Sequence, residues 1–536
     1  MKLNNEGIQN RAAWERVGVT LPSFDWQTMC AATAKAPRWV HFGAGNIFRG
    51  FIASLQQSLL NQGLETSGII AADTFDFDII NQMYEPHDSM TLLVSLRPDG
   101  GTDRAVVASI AKGVRANTAE PAAFEQLVEA FENPSLQMVS FTITEKGYPL
   151  TNLQGGLLPV VEADLAQGPQ KARHAMSVVA ALLLRRYRAN AAPLALVSMD
   201  NCSHNGEKLR ASVLAIARGW VENGFAEEAF LAYVSDENRC SFPWTMIDKI
   251  TPRPDLQVAQ SLAQDGIEGM EPVLTAHKTY IAAFVNAELP QYLVVEDRFP
   301  NGRPALEKAG VYMTDRATVN NTERMKVTTC LNPLHTALAV YGCLLGYPSI
   351  ASEMRDPQLK RLVEHIGYDE GMPVVVNPGI IRPLDFIHEV IDCRLPNPFI
   401  PDVPQRIATD TSQKISVRFG ETIKAYLASD TLHVDALTYI PLAIAGWLRY
   451  LLGVDDTGAE MTVSPDPMLA ELQAAFHGVR LGDPASCGDC LRPILQNPVL
   501  FGVDLYKAGL GHKIEGMFCE LIAAPGAVRA TLIKYC

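Results

Sequence analysis

Residues 38–63 read RWVHFGAGNIFRGFIASLQQSLLNQG, and this stretch decides the fold. A short apolar run, WVHF, ends in a glycine turn and passes straight into an amphipathic helical pattern. That is the opening of a βαβ unit, in which Gly43 supplies the tight turn and Gly45 lets backbone approach a pyrophosphate at the helix N-terminus. Ala44 and Asn46 complete the candidate cofactor turn. Position 48, where the third glycine of the dinucleotide fingerprint would stand, is Phe. The following run, SGIIAAD, ends in Asp73, placed to hydrogen-bond a ribose diol and to repel the extra phosphate of NADP, which favours NAD. The same residues also fit an ordinary strand–helix turn, with Asp73 as a cap.

Working outward, strands are predicted at TLLVSLR, VVASIAKGVRA, LQMVSFTIT and APLALVSMD, with helices at AAFEQLVEAFE, QKARHAMSVVAALLLRRYRAN and EKLRASVLAIARGWVENG. Alternating strands and helices imply a largely parallel sheet covered on both faces. QYLVVEDRFPNGRP is the last strand-plus-turn stretch; beyond it, 3.6-residue periodicity dominates, as in TALAVYGCLLGY and YIPLAIAGWLRYLLG. The expected organisation is a lead-in over 1–36, an α/β Rossmann-type nucleotide domain over 37–300, and an all-helical substrate domain over 301–536. A chain of 536 residues is too long for one ordinary core.

With 48% hydrophobic and 19% charged residues and a net charge of −14, the chain reads as an acidic globular protein. That balance argues against nucleic-acid or anionic-lipid partners. No apolar run is long enough to span a bilayer, and the polar N-terminus lacks a signal-peptide core. Ten scattered cysteines fit a reducing cytoplasm. The one CxxC, Cys487 and Cys490, has no second ligand pair, so a surface loop is expected there instead of a metal site.

At the head of the helical half stands ERMKVTTCLNPLH, residues 323–335. It brings together an ammonium (Lys326), an amide (Asn332) and an imidazole (His335). A lysine against apolar surface can serve as a base near neutral pH, and an amide beside it can donate to an oxygen gaining charge. Those are the needs of secondary-alcohol oxidation. Equally, Lys326 could be solvated, Asn332 a helix cap and His335 a core histidine.

The chain also carries, in order, TITEKGY (142–148), VSMDNCSHNG (197–206), TMIDKITP (245–252), EDRFPNGRP (296–304), RLPNPFIPDVPQRIATDTSQKI (394–415) and FGVDL (501–505). With the turn and the lysine segment, these resemble the polyol-specific long-chain dehydrogenase family, known as the mannitol dehydrogenase family. The resemblance implies a metal-free NAD(P)-dependent oxidoreductase that interconverts a sugar alcohol or aldonate with a keto sugar. It assigns Lys326 as general acid/base, Asn201 and Asn332 as oxyanion donors, and His335 as substrate orienter. Arg394 becomes a substrate contact, and Glu323 a carboxylate passing protons to solvent. The structural alternatives are an Asn201 that orders its loop, an Asp248 that caps, a His204 that closes a turn, and Arg406, Asp410 and Lys414 as a charged helical face. The TEKGY, EDRFPNGRP and NPLH wording is most similar to the hexuronate branch, whose reaction is D-mannonate + NAD = D-fructuronate + NADH. Lys146, Arg394 and Arg303 are then candidates for the substrate carboxylate. A neutral-polyol dehydrogenase, a tagaturonate reductase, or an NAD-binding sensor without turnover are the other readings.

One departure stands out. The family's usual spacing puts the lysine five residues before the asparagine; here Lys326 precedes Asn332 by six. On a straight helix the extra residue rotates Lys326 by about 100°. Either a π-bulge absorbs it, which is the reading adopted, or Pro333 starts a new helix capped by Asn332.

Overall fold

The structure, a computed structural model, describes every residue except Pro98, Leu153 and Pro401, the last of which falls inside the 394–415 motif. The chain forms two compact units, Met1–Asn320 and Asn321–Cys536.

The first unit is built on a six-stranded, all-parallel sheet: β1 (Trp39–Phe42), β2 (Ile69–Asp73), β3 (Ile110–Arg115), β4 (Met138–Phe141), β5 (Leu194–Ser198) and β6 (Cys240–Ser241). The spatial order is β3-β2-β1-β4-β5-β6. This is the doubly wound Rossmann order, which reverses direction next to β1. The four central strands β2, β1, β4 and β5 are buried along their whole length because both faces are covered, whereas the edge strand β3 is half-buried. Trp39, Ala71, Met138 and Ala195 enter one core, and Val40, Ile70, Val139 and Leu196 the other. Helices α1 (Ala53–Asn61), α2 (Pro121–Glu132), α3 (Ala175–Ala189) and α4 (Asn205–Glu222) surround it.

Three expectations are corrected here. The 1–36 segment is no separate lead-in: Trp14 is fully buried in the first core, and Val19–Thr20 pairs in parallel with Arg104 and Ala105. VVASIAKGVRA is two strands, not one; Thr102–Val107 joins a second, four-stranded sheet, and β3 starts at Ile110. The α/β unit continues past residue 300, because Tyr312–Thr314 adds a parallel strand beside Tyr292–Glu296.

The second unit is helical throughout its regular elements. Helix α5 (Arg316–Met325) leads into a π turn, Lys326–Cys330, followed by α6 (Asn332–Leu345). Helix α6 is apolar on nearly every side and packs on α7 (Tyr439–Tyr450), which in turn packs on α8 (Gly511–Leu521). Tyr341 Oη donates to the Leu442 carbonyl at 2.8 Å, where Gly446 leaves room for its ring. Such a helix has the all-round hydrophobicity of a domain core.

Candidate active site

At the glycine turn, Gly43 has φ +101°, and a Cβ there would stand 2.1 Å from the Thr142 carbonyl oxygen. Only glycine fits both constraints. Gly45 differs, since nothing lies within 4 Å of where its Cβ would be. Open space over backbone at a helix N-terminus suits close approach of a phosphate. Phe48, in place of a third glycine, stacks on His41 with ring centroids 4.0 Å apart. The chain there takes a π turn, Phe48–Ile52. His41 bridges Ser140 Oγ at 2.6 Å and Thr142 Oγ1 at 2.8 Å, and Thr142 donates to the Gly43 carbonyl at 3.2 Å. Burial pushes the His41 imidazole down to about 3, so a neutral ring braces the turn.

Asp73 is buried and accepts from the amides of Ala44 (3.1 Å), Phe75 (2.8 Å) and Asp76 (3.0 Å). Burial pushes its carboxyl up while these amides oppose the shift. The cap reading of Asp73 is therefore real geometry, and it ties the end of β2 to the glycine turn. Asn46 is also engaged: it donates to the Pro252 carbonyl at 3.3 Å and accepts from Arg49 at 2.8 Å.

Beyond β5, the motifs TITEKGY, SMDNCSHNG and TMID meet within the first unit. Asp200 accepts from the Ile143 and Thr144 amides (3.0 and 2.9 Å) and from Tyr148 Oη (2.6 Å). Asn205 donates to the Asp200 and Thr245 carbonyls, both at 3.0 Å. These bonds hold the loop on which Asn201 is exposed and His204 adopts φ +54°. His204 stacks on Trp244 at 4.4 Å. Lys146 is exposed on a short 3-10 turn, Glu145–Gly147. Arg303 is committed elsewhere, to Asp297 (2.7 and 2.8 Å) and Glu307 (2.6 Å), which removes it from the carboxylate candidates.

In the second unit, Lys326 is 2% exposed and is the first residue of the π turn. Closure from i to i+5 spends one more residue per turn than an α-helix, so the turn absorbs the sixth residue. The second resolution occurs as well: the helix breaks at Leu331 (φ −133°), and α6 restarts with Asn332, with Pro333 next. Asn332 is the first helical residue instead of the cap, and its half-buried amide makes no hydrogen bond among the described residues. Glu323 is half-buried one turn before Lys326.

His335 sits on the first turn of α6. Its Nε2 lies 3.4 Å from Asp402 Oδ2, without hydrogen-bond geometry. Burial, reinforced by Arg418, Arg406 and Arg394, pushes the ring down to about 3, so it is neutral at physiological pH. Arg394 is 5% exposed at the end of the π turn Val390–Arg394. Arg406 pairs with Asp402, and Lys414 donates to the Thr409 carbonyl at 2.7 Å. Sequence reasoning singles out neither Asp402, which lies within the 394–415 motif, nor Arg418, three residues beyond it, because nothing in their spacing marks what they face. Cys487 and Cys490 are free thiols with Sγ atoms 3.4 Å apart, and Cys487 is buried instead of lying on a surface loop.

A family model described as "Mannitol dehydrogenase Rossmann domain" matches residues 37–308, and one described as "Mannitol dehydrogenase C-terminal domain" matches residues 318–488. The chain belongs to the mannitol dehydrogenase family. It is 52% identical over 534 residues to a D-mannonate oxidoreductase from Thermotoga maritima, covering 99% of this chain and 98% of that protein. Among solved structures it resembles a D-sorbitol dehydrogenase in substrate-free form (25% identity, TM-score 0.78, covering 96% and 97% of the two chains). It also resembles Pseudomonas fluorescens mannitol 2-dehydrogenase in a ternary complex with NAD and D-mannitol (26% identity, TM-score 0.71, covering 100% and 99%). The family assignment makes this chain an oxidoreductase. Among the described residues, no helix is long and apolar enough to cross a membrane.

Proposed function

We propose that this chain interconverts D-mannonate and D-fructuronate with NAD. One observation carries the chemistry: buried Lys326 stands on a π turn that leads directly to Asn332, whose amide makes no hydrogen bond among the described residues, and to the neutral His335 ring. The substrate is carried by the near-full-length likeness to the Thermotoga protein, twice the identity to either polyol enzyme. The glycine turn fits a dinucleotide, with open space at Gly45, helix N–H groups for a pyrophosphate, and Asp73 at the end of β2. Bound NAD supplies the hydride acceptor.

In oxidation, Lys326 in its neutral form takes the hydroxyl proton as the C–H bond of the same carbon breaks. Asn332 donates to the alkoxide-like oxygen, and Asn201 keeps the oxyanion role implied by the family resemblance. His335, held neutral, orients the hydroxyl, and Glu323 passes the proton from Lys326 towards solvent. Arg394 and Lys146 remain candidate substrate contacts. In reduction, protonated Lys326 donates. No nucleic acid or membrane enters the reaction, and ten free cysteines favour a cytoplasmic setting. Lys326→Ala should cut fructuronate reduction by roughly a hundredfold or more. NADH binding, followed by fluorescence, should stay unchanged. Turnover at wild-type rate in that variant would refute Lys326 as the base.

A further inference from the structure

Three arginines of the chain, Arg186 and Arg449 buried and Arg418 half-buried, use their guanidiniums differently. Arg186 spends its guanidinium on five carbonyls: Phe131, Asn133, Leu136, Ala192 and Pro193. Arg449 spends its own on Leu521, Val454 and Asp455 carbonyls. Both are structural cations, with every guanidinium nitrogen given to a backbone carbonyl. Arg418 is different. It offers five N–H donors, yet among the described residues it donates only to Thr336 Oγ1 and has no carboxylate within ion-pair distance. Burial also pushes its guanidinium down to about 10, so its charge is held at a cost without a counter-ion.

Its position gives that unspent charge a meaning. Arg418 lies on the π turn Ser416–Gly420, which packs against the Lys326–Cys330 turn; Thr422, just beyond it, donates to the Thr328 carbonyl at 3.4 Å. Thr336, which receives the Arg418 bond, follows His335 and donates to the Asn332 carbonyl at 2.9 Å. Asp402 faces His335 and pairs with Arg406, so the acidic group here is already matched.

We propose that Arg418 is the anchor for the carboxylate of the hexonate substrate. A planar guanidinium with free parallel N–H donors binds a carboxylate bidentately and gains most where water is scarce. Bound there, the carboxylate end lies beside the first turn of α6, and the hexonate chain runs from it towards Lys326 and His335. This inference rests on the D-mannonate reading and names the residue that would separate a hexonate from a neutral polyol.

Arg418→Gln should raise KM for D-fructuronate roughly tenfold or more, as expected for losing a charged hydrogen-bond pair. Its kcat should stay within about threefold and its NADH affinity should be unchanged. Arg418→Lys should recover part of the loss. Thr336→Val, which removes the hydroxyl that accepts from Arg418 but keeps the cation, should leave KM near wild type. An unmoved KM in Arg418→Gln, a loss confined to kcat, or an equal KM rise in Thr336→Val would each overturn the assignment. Wild-type rates on D-fructuronate and D-fructose are read in parallel. A wild-type preference for fructose overturns the hexonate reading itself, whereas a preference for fructuronate with unmoved KM in Arg418→Gln overturns only the anchor.

Discussion

Gly43 and Gly45 stand two residues apart and answer to different constraints. Gly43 is held by φ +101° and by the Thr142 carbonyl 2.1 Å from its missing Cβ, so its cost belongs to folding. Gly45 has ordinary backbone and empty space, so its cost belongs to a ligand. Gly43→Ala should therefore lose roughly 2–4 kcal/mol of stability in urea denaturation. Gly45→Ala should stay within about 0.5 kcal/mol of wild type. The second variant should instead weaken NADH binding about tenfold, read by fluorescence titration, because a methyl blocks backbone approach to the pyrophosphate. If Gly45→Ala lowers the urea midpoint while the folded protein binds NADH as tightly as wild type, the turn is structural only. Both glycines are legible in the sequence as a pair. Their separate duties are not, because GxG spacing says nothing of what lies over each Cα. Arg418 was invisible for a related reason: an arginine is marked as unspent only by the partners it lacks in three dimensions.

At the scale of elements, the six-residue step from Lys326 to Asn332 is an irregularity legible in the sequence, and the chain answers it with a π turn and a helix restart together. Helix existence was legible from periodicity. The split of VVASIAKGVRA was not, because both halves are β-prone and only tertiary pairing sends them to different sheets. The π turn is braced by another, His365–Gly371: a Cβ on Gly371 would stand 2.8 Å from Thr329 Cγ2 and 3.1 Å from the Ile366 carbonyl. Gly371→Ala should push on the lysine-bearing turn, costing about 1–3 kcal/mol in denaturation and lowering kcat with NADH binding intact. Thr329→Ser removes the methyl that would be struck, so the double variant should regain most of both losses. Additive losses in the double variant would mean that the two turns are not coupled.

For the whole molecule, the division into an α/β and a helical part was legible from the change of period, while its position, after Asn320, needed the strand at Tyr312–Thr314. The first unit keeps its charges near the surface or hydrogen-bonded, as in Asp73 and Asp200. The second carries an exception that sets how stability responds to pH. Glu353 is fully buried against Gly342 of α6, neither carboxyl oxygen makes a hydrogen bond among the described residues, and burial pushes the group up to about 9, with Asp356 adding to the effect. Because the folded state holds this proton more tightly than the unfolded chain, the favourable contribution is complete below about pH 4.5 and is lost progressively as pH rises towards 9. The slope is about 1.4 kcal/mol per pH unit in that window. Glu353→Gln keeps the shape and removes the proton, so it should match wild type at pH 4.5 and exceed it by roughly 2–4 kcal/mol at pH 8. Urea midpoints of both proteins across that range measure the difference directly. Curves that run parallel from pH 4.5 to 8 would show that Glu353 finds a counter-charge or water in solution, and the helical unit would then owe none of its pH response to this carboxyl.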